Sequence, residues 1–314
     1  MRPGLAVLIT YYNEREILRE CLESLFADAP VPDEVLVYDD ASSFPARDYV
    51  PQGLPVRVIA GDVNRGPSHG RNVLLRHAHS EYIHFHDADD LFQPQWCARV
   101  RHAFQDSRVD AVFTEVAYCK DGRMVGQSTL GRECSSIGDL VRYCIRGAIL
   151  TSAGIYRRSA VVGIGGYREG LWQSEDYDFH VRLAASGARY TVIPEPLVKV
   201  RVRTASRSQN RWEVWTSAVC ALKKLGGELD PVYRPELAEK AAEAGSILFD
   251  LGAYADARQA FELSDELGPP TYARRRRAYR MIARMFGPLA AEKAGALYRK
   301  RVPGAIRESV AVRG

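Results

Sequence analysis

Two short apolar runs in this chain each end in a cluster of aspartates, and that pairing limits the fold more than any other feature. Glu34 to Tyr38 runs into Asp39-Asp40, and Tyr82 to His86 runs into Asp87-Ala88-Asp89-Asp90. Carboxylates directly after an apolar strand suit the carboxyl edge of an open α/β sheet, where ligands bind. The surrounding pattern agrees. Ala6 to Thr10, Val56 to Ile59 and Ala111 to Thr114 also read as strands. Glu14 to Phe26 places Ile17, Leu18, Cys21, Leu22, Leu25 and Phe26 on one helical face, with Asn13 in the N-cap position. A second helix is predicted from about His69 to Ala78, and Pro94 suits the first turn of a third. This alternation predicts an α/β fold: a mainly parallel sheet with helices on both faces.

The middle of the chain is less regular. Val116 to Val125 reads as a hairpin turning at Asp121-Gly122. Ile149 to Tyr156 reads as a strand, Gly163 to Gly170 as a glycine-rich loop, and Asp176 to Ser186 as a helix ended by Gly187. Tyr190 to Ile193 reads as a strand stopped by Pro194 and Pro196. From about Asn210 the strand signals end and alanine-rich helical segments follow. Gly252-Ala253-Tyr254, Ala257 and Phe261, with Pro269 beyond, match part of a tetratricopeptide-like repeat. Such repeats need about three units to stack stably. A single unit favours an ordinary helical hairpin over that alternative. The expected division is a catalytic domain over residues 1–208 and a helical region over 209–314.

Composition excludes several classes. Hydrophobic residues at 46% and charged residues at 26% are those of a folded globular chain. A net charge of +4 is too small to argue for nucleic acid. No apolar run approaches the roughly 20 residues that span a bilayer. The short run from Leu5 to Ile9 is too brief for a signal peptide and reads as the first strand. The six cysteines are scattered with no CxxC pair, which fits a reducing compartment and predicts a cytoplasmic location.

Three aspartates within four residues repel one another. At about 4 Å, two like charges cost on the order of 4 kcal/mol at an effective dielectric of 20. A divalent cation at the strand end relieves that cost, and carboxylate oxygens favour magnesium or manganese. A solvated helix N-terminus is the plainer alternative; it accounts for Asp90 but poorly for Asp87. Haloacid-dehalogenase-type phosphatases also carry DxD after a strand. They expect a small hydroxyl or Val two positions after the second Asp, where this chain has Leu91. A dinucleotide-binding fingerprint would follow the first strand with GxGxxG; here that strand leads into Tyr11-Tyr12-Asn13-Glu14. His84 and His86 alternate along a strand and read as packed polar residues, not metal ligands.

Taken in order, five segments resemble the family-2 glycosyltransferases. They are Val7 to Glu14, Val37 to Ser42, Asn64 to Asn72, Glu81 to Asp90, and Trp172 to Asp178 with Arg182. The resemblance spans about residues 5 to 208. It implies a GT-A type, Rossmann-like fold and an inverting transfer from a nucleotide-diphosphate sugar, commonly a UDP-sugar, to a hydroxyl acceptor. By position it implies that Thr10, Tyr11, Glu14 and Asp40 line the base and ribose. Arg71 would help hold the base or diphosphate. Asp87 would contact ribose or metal-bound water, Asp89 would bind Mn2+ or Mg2+, and Asp176 would be the general base. Glu175 is open between a helix cap and an acceptor contact, and Trp172 between core packing and stacking on a sugar. Many family members carry a His in a segment like RxHxxS after the last sheet strand; this chain has Arg203 in that place, with Arg207 beyond. Arg cannot ligate a metal but can pair with diphosphate oxygens, which is the role expected for Arg203.

Arg274 to Arg277, with Tyr279, Arg280, Met281, Ile282, Met285 and Phe286, form a basic amphipathic helix. A solvated helix face is the favoured reading. The alternative is peripheral contact with an anionic inner membrane face, which would suit a sugar or glycolipid acceptor in cell-surface polysaccharide or glycolipid synthesis. A non-catalytic nucleotide-sugar or glycan binding module is the competing function; intact Asp176 and DxD argue against it.

Overall fold

The computed structural model describes residues 3–203, 207–268, 270, 272 and 277–301. The chain forms two compact units, Met1–Asn210 and Arg211–Gly314.

The first unit opens with β1 (Leu5–Tyr11), α1 (Glu16–Phe26), β2 (Glu34–Asp39), β3 (Arg57–Ala60), α2 (Pro67–His77) and β4 (Tyr82–Asp87). It continues through β5 (Leu91–Phe92), α3 (Trp96–Ala103), β6 (Ala111–Lys120), β7 (Arg123–Gln127), α4 (Leu130–Ile137) and α5 (Leu140–Arg146). β8 (Gly154–Arg157), α6 (Arg158–Gly163), α7 (Glu175–Ala185) and β9 (Tyr190–Arg201) complete it. One helix-flanked sheet runs in the order β3-β2-β1-β4-β8-β6-β9-β5, with β7 paired to β6. The first four strands are parallel, so their carboxyl ends share an edge. In register, Tyr11 lies beside Asp39, and Thr10 beside Asp87. β8 then runs antiparallel to both β4 and β6, and β6 and β9 pair in parallel. The interior is anchored on β1, where Leu5, Ala6, Val7, Leu8, Ile9 and Tyr11 are all buried. Each buried Val, Leu or Ile contributes about 1.5–3 kcal/mol relative to exposure.

Several local expectations are corrected. α1 starts at Glu16, and Asn13 does not cap it. Asn13 has φ 58°, and its Oδ1 accepts from the Phe44 amide at 3.2 Å, tying the loop after β1 to the loop after β2. Pro94 lies before α3, which begins at Trp96 after a left-handed Gln95. The strand expected from Ile149 begins only at Gly154, because Thr151–Ala153 is a 3-10 turn. Pro194 and Pro196 do not stop β9. The register against β6 shifts on either side of Glu115, passing over Pro194 and Glu195, so the missing proline donors fall at bulges.

The second unit is helical: α8 (Arg211–Glu228), α9 (Arg234–Asp250), α10 (Tyr254–Leu267), α11 (Arg277–Phe286) and α12 (Pro288–Arg301). α9 and α10 form a hairpin around Ala244, Leu248, Phe249, Ala257 and Ala260. Gly245 lets them close, since a Cβ there would meet the Phe261 ring at 2.8 Å. The basic helix of the sequence reading is α11; Arg274, Arg275 and Arg276 lie outside the described residues.

Candidate active site

The carboxyl edge of the parallel strands opens into a cleft of about 340 Å³, within the size range of small-molecule sites. Ten of the expected positions line it: Thr10, Tyr11, Glu14, Asp40, Arg71, Asp87, Asp89, Trp172, Glu175 and Arg203. Asp176 adjoins Glu175 at the start of α7 but does not itself line the cleft. Arg207, Asn64, Gly66, Tyr38 and Gln173 line it too. Of these, Arg207 stands out in the sequence as the arginine beyond Arg203. The others sit inside motif segments, yet nothing in their residue type separated them from loop residues.

Asp40 anchors one wall. Its two carboxylate oxygens accept from the amides of Arg65 and Gly66 at 2.9 and 2.8 Å, fixing the turn before α2. Gly66 has φ +83°, and a Cβ there would press on the Trp172 ring at 3.2 Å. Asp39 likewise accepts from the amides of Ser42 and Ala46 at 3.0 and 2.7 Å, which makes it a loop brace. Tyr11 is buried; its hydroxyl donates to Phe44 O at 2.7 Å and accepts from the Arg15 amide at 3.1 Å.

Arg71 is the centre of the second wall. Its side chain is 3% exposed. Nη2 donates to Asp87 Oδ1 at 2.7 Å and Nη1 to Glu175 Oε1 at 2.8 Å, joining the end of β4 to the start of α7. The Tyr167 ring lies 4.9 Å from the guanidinium. Both terminal nitrogens are committed to carboxylates, so Arg71 braces the acids of the site. Glu175 therefore faces Arg71. Burial, and then the charge of Glu175, lift the Asp176 carboxyl to about 7, against the pull of Arg71. One Asp176 oxygen accepts from the Tyr177 amide at 2.7 Å.

α7 itself is held from behind. Asp178 is fully buried and accepts from Arg182 at 2.8 Å, while Arg182 donates to Ile164 O and Gly166 O at 2.8 and 2.9 Å. Asn72 on α2 clasps Tyr167 through both backbone groups, at 2.9 and 2.8 Å. The glycine-rich loop is thereby fixed to both helices.

At the third wall Arg203 bridges Glu14, by two bonds of 2.7 and 3.1 Å, and Asp89. Burial and the neighbouring Asp87 raise the Asp89 carboxyl, and Arg203 opposes that rise. Asp90 is not at a helix N-terminus. It is buried before β5, accepts from Ser152 Oγ at 2.7 Å and from the Arg201 amide at 3.3 Å, and so ties the strand end to the 3-10 turn and to β9. Burial, Asp89 and Asp87 push its carboxyl far up. His84 and His86 are buried and bonded to each other at 3.0 Å. Trp172 is 48% exposed at the rim, which removes the core-packing alternative, and Arg207 donates to its carbonyl at 2.7 Å.

The pattern of glycosyl transferase family 2 matches residues 6–163. The amylovoran biosynthesis glycosyltransferase AmsE of Erwinia amylovora is 26% identical over 235 residues, covering 70% of this chain and 87% of AmsE. The structure of TarS from S. aureus in complex with UDP-GlcNAc superposes with a TM-score of 0.70, at 20% identity, over 95% of this chain and 92% of that one. The mannosyltransferase PcManGT from Pyrobaculum calidifontis, in complex with GDP-Man and Mn2+, superposes with a TM-score of 0.58, at 21% identity, over 96% and 89%. At such identities the structural likeness is one of fold.

Proposed function

This chain belongs to glycosyl transferase family 2, and we propose that within it the protein is an inverting transferase that moves a sugar from a nucleotide-diphosphate donor, a UDP-sugar, to a hydroxyl acceptor in cell-surface polysaccharide or glycolipid synthesis. One observation carries the reading. A single buried arginine clasps both the DxD carboxylate Asp87 and Glu175, so a donor-side acid is held in one cleft with the residue that precedes Asp176. The nucleotide sugars bound to TarS and PcManGT support the donor class, and AmsE supports the pathway class.

Asp176 is the base. A carboxylate near neutrality takes the acceptor proton as the new bond forms. Acting on the face opposite the leaving diphosphate, it implies direct displacement with inversion. Thr10, Tyr11 and Asp40 line the base and ribose subsite, with Asp40 already committed to holding the loop. Arg203 and Arg207 face the diphosphate.

Asp87 and Asp89 fit a divalent ion. They are hard oxygen donors, and burial with mutual repulsion raises Asp89 in the absence of a cation. Among the described residues no set of three or more His, Cys, Asp or Glu forms a metal cage. The two aspartates would therefore share Mg2+ or Mn2+ with phosphate and water oxygens. When bound, the ion offsets charge on the departing diphosphate.

We propose cytoplasmic placement from the scattered cysteines, which form no CxxC pair, and peripheral membrane contact through α11. Met281, Met285 and Phe286 are exposed there beside Arg277 and Arg284. Among the described residues no helix is long and apolar enough to cross a membrane. Pelleting with anionic vesicles at low salt checks this; an unbound protein removes it.

The central test is a thermal-shift screen of nucleotide diphosphates and their sugars with manganese, followed by Asp176→Asn. We expect transfer to fall by roughly 10³-fold or more while nucleotide binding stays intact. Near-full turnover in the variant would discard the base assignment.

A further inference from the structure

A second cavity, of about 270 Å³, lies among β6, β7, α4, α5 and the turn before β8. Its lining includes Thr114, Tyr118, Gln127, Glu133, Tyr143 and Leu150. We propose that this cavity is the acceptor subsite and that it takes an uncharged, hydroxyl-rich saccharide segment. The proposal rests on the glycosyltransferase reading and names its acceptor class.

Three observations support it. First, the lining is that of a sugar site. Two tyrosines supply apolar ring faces with polar tips, and Thr, Gln and Glu supply donors and acceptors. Second, Thr114 Oγ1 is buried with no hydrogen-bond partner in the protein. A buried hydroxyl left unpaired is costly and marks where a ligand hydroxyl or a water belongs. Third, the walls are tied to the chemistry. The 3-10 turn that supplies Ala153 also holds Asp87 and Asp90 through Ser152. α5 carries Tyr143, and its Ile145 O accepts from Tyr177 on α7, one residue after Asp176.

Charge selects the class. Among the described residues lining the cavity, Glu133 is the one that is charged. A carboxylate accepts from sugar hydroxyls and repels phosphate. A polyol-phosphate chain is therefore disfavoured, and a neutral glycan is favoured.

The test uses the full chain with Thr114→Val and Glu133→Gln, neither of which lies in the donor cleft. Neutral oligosaccharides and glycerol phosphate oligomers are screened by saturation-transfer NMR, beside hydrolysis of UDP-GlcNAc and GDP-Man. We expect a neutral oligosaccharide to bind, with each variant weakening it roughly threefold to tenfold, while donor hydrolysis and nucleotide affinity stay within about twofold of wild type. Preference for the glycerol phosphate oligomer, or neutral binding untouched by both variants, overturns the subsite. Donor hydrolysis without any saccharide binding also overturns it and leaves the transferase reading standing. A wild-type chain that neither binds nor hydrolyses any donor defeats the transferase reading, and the subsite with it.

Discussion

Two arginines in the same cleft each bridge two carboxylates, yet their settings differ. The Arg71 side chain is 3% exposed and spans Asp87 and Glu175. The Arg203 side chain is 33% exposed and spans Glu14 and Asp89. The ion-pair chemistry is alike, and burial separates the two. A buried charge stripped of its partner has no water to fall back on, so the Arg71 bridge is part of the scaffold. A partly hydrated bridge can exchange partners at little cost. Arg203 rests on Asp89, a carboxylate that a metal would contest. The cleft thus combines one fixed clasp with one replaceable one.

The sharpest way to break this comparison is Arg71→Met. It leaves Asp87 and Glu175 without their cation beside Asp176. We expect a stability loss of about 3–5 kcal/mol in urea denaturation and a fall in transfer of roughly 10²–10³-fold in whatever folds. A variant of wild-type stability would show that the clasp is not scaffold.

The pH profile sharpens the same point. Asp176 is held at about 7 by burial first and Glu175 second, with Arg71 opposing. The base works deprotonated, so kcat/KM should rise about tenfold per unit below pH 7 and level off above it. For stability the sign is set by the raised carboxyl, which binds its proton more tightly folded than unfolded. Its contribution is present at acid pH and lost as pH rises through about 7. Asp176→Asn should remove that loss, on the order of a few kcal/mol by pH 9. In Arg71→Met the activity limb should move to higher pH, because the opposing cation is gone. In an Arg203 variant it should stay in place.

Neither clasp was legible in the sequence; Arg203 meets Glu14 and Asp89 across 189 and 114 residues. Asp40, Asp87 and Asp89 were readable because a strand end is a local event: an apolar run, then carboxylates. The Arg71–Glu175 contact joins positions 104 residues apart, and no local pattern marks it. Asp90 was misread for a related reason. Its partners, Ser152 in the 3-10 turn and the Arg201 amide on β9, lie far along the chain, so a helix-start explanation looked sufficient. β9 shows the same limit in the fold. Pro194 and Pro196 forbid regular ladder bonds, but a bulge opposite Glu115 absorbs both, and bulges depend on the partner strand. The helical hairpin of the second unit was legible from its alanine-rich segments and partial repeat pattern, since its contacts are sequential.

The smallest expected effect is also the most discriminating. Arg203→Gln removes the exposed clasp, and its cost in stability should stay under about 1 kcal/mol. Its effects on ligands should have opposite signs. Freed of its guanidinium, Asp89 becomes available, so Mn2+ alone should bind the ligand-free chain roughly threefold to tenfold more tightly. The diphosphate loses a cation, so UDP at fixed Mn2+ should bind more weakly by a similar factor. Calorimetric titration of Mn2+ alone, and of UDP with saturating Mn2+, separates the two. A glutamine that weakened both would mean that Arg203 never competes for Asp89. The two clasps would then differ in exposure without differing in role.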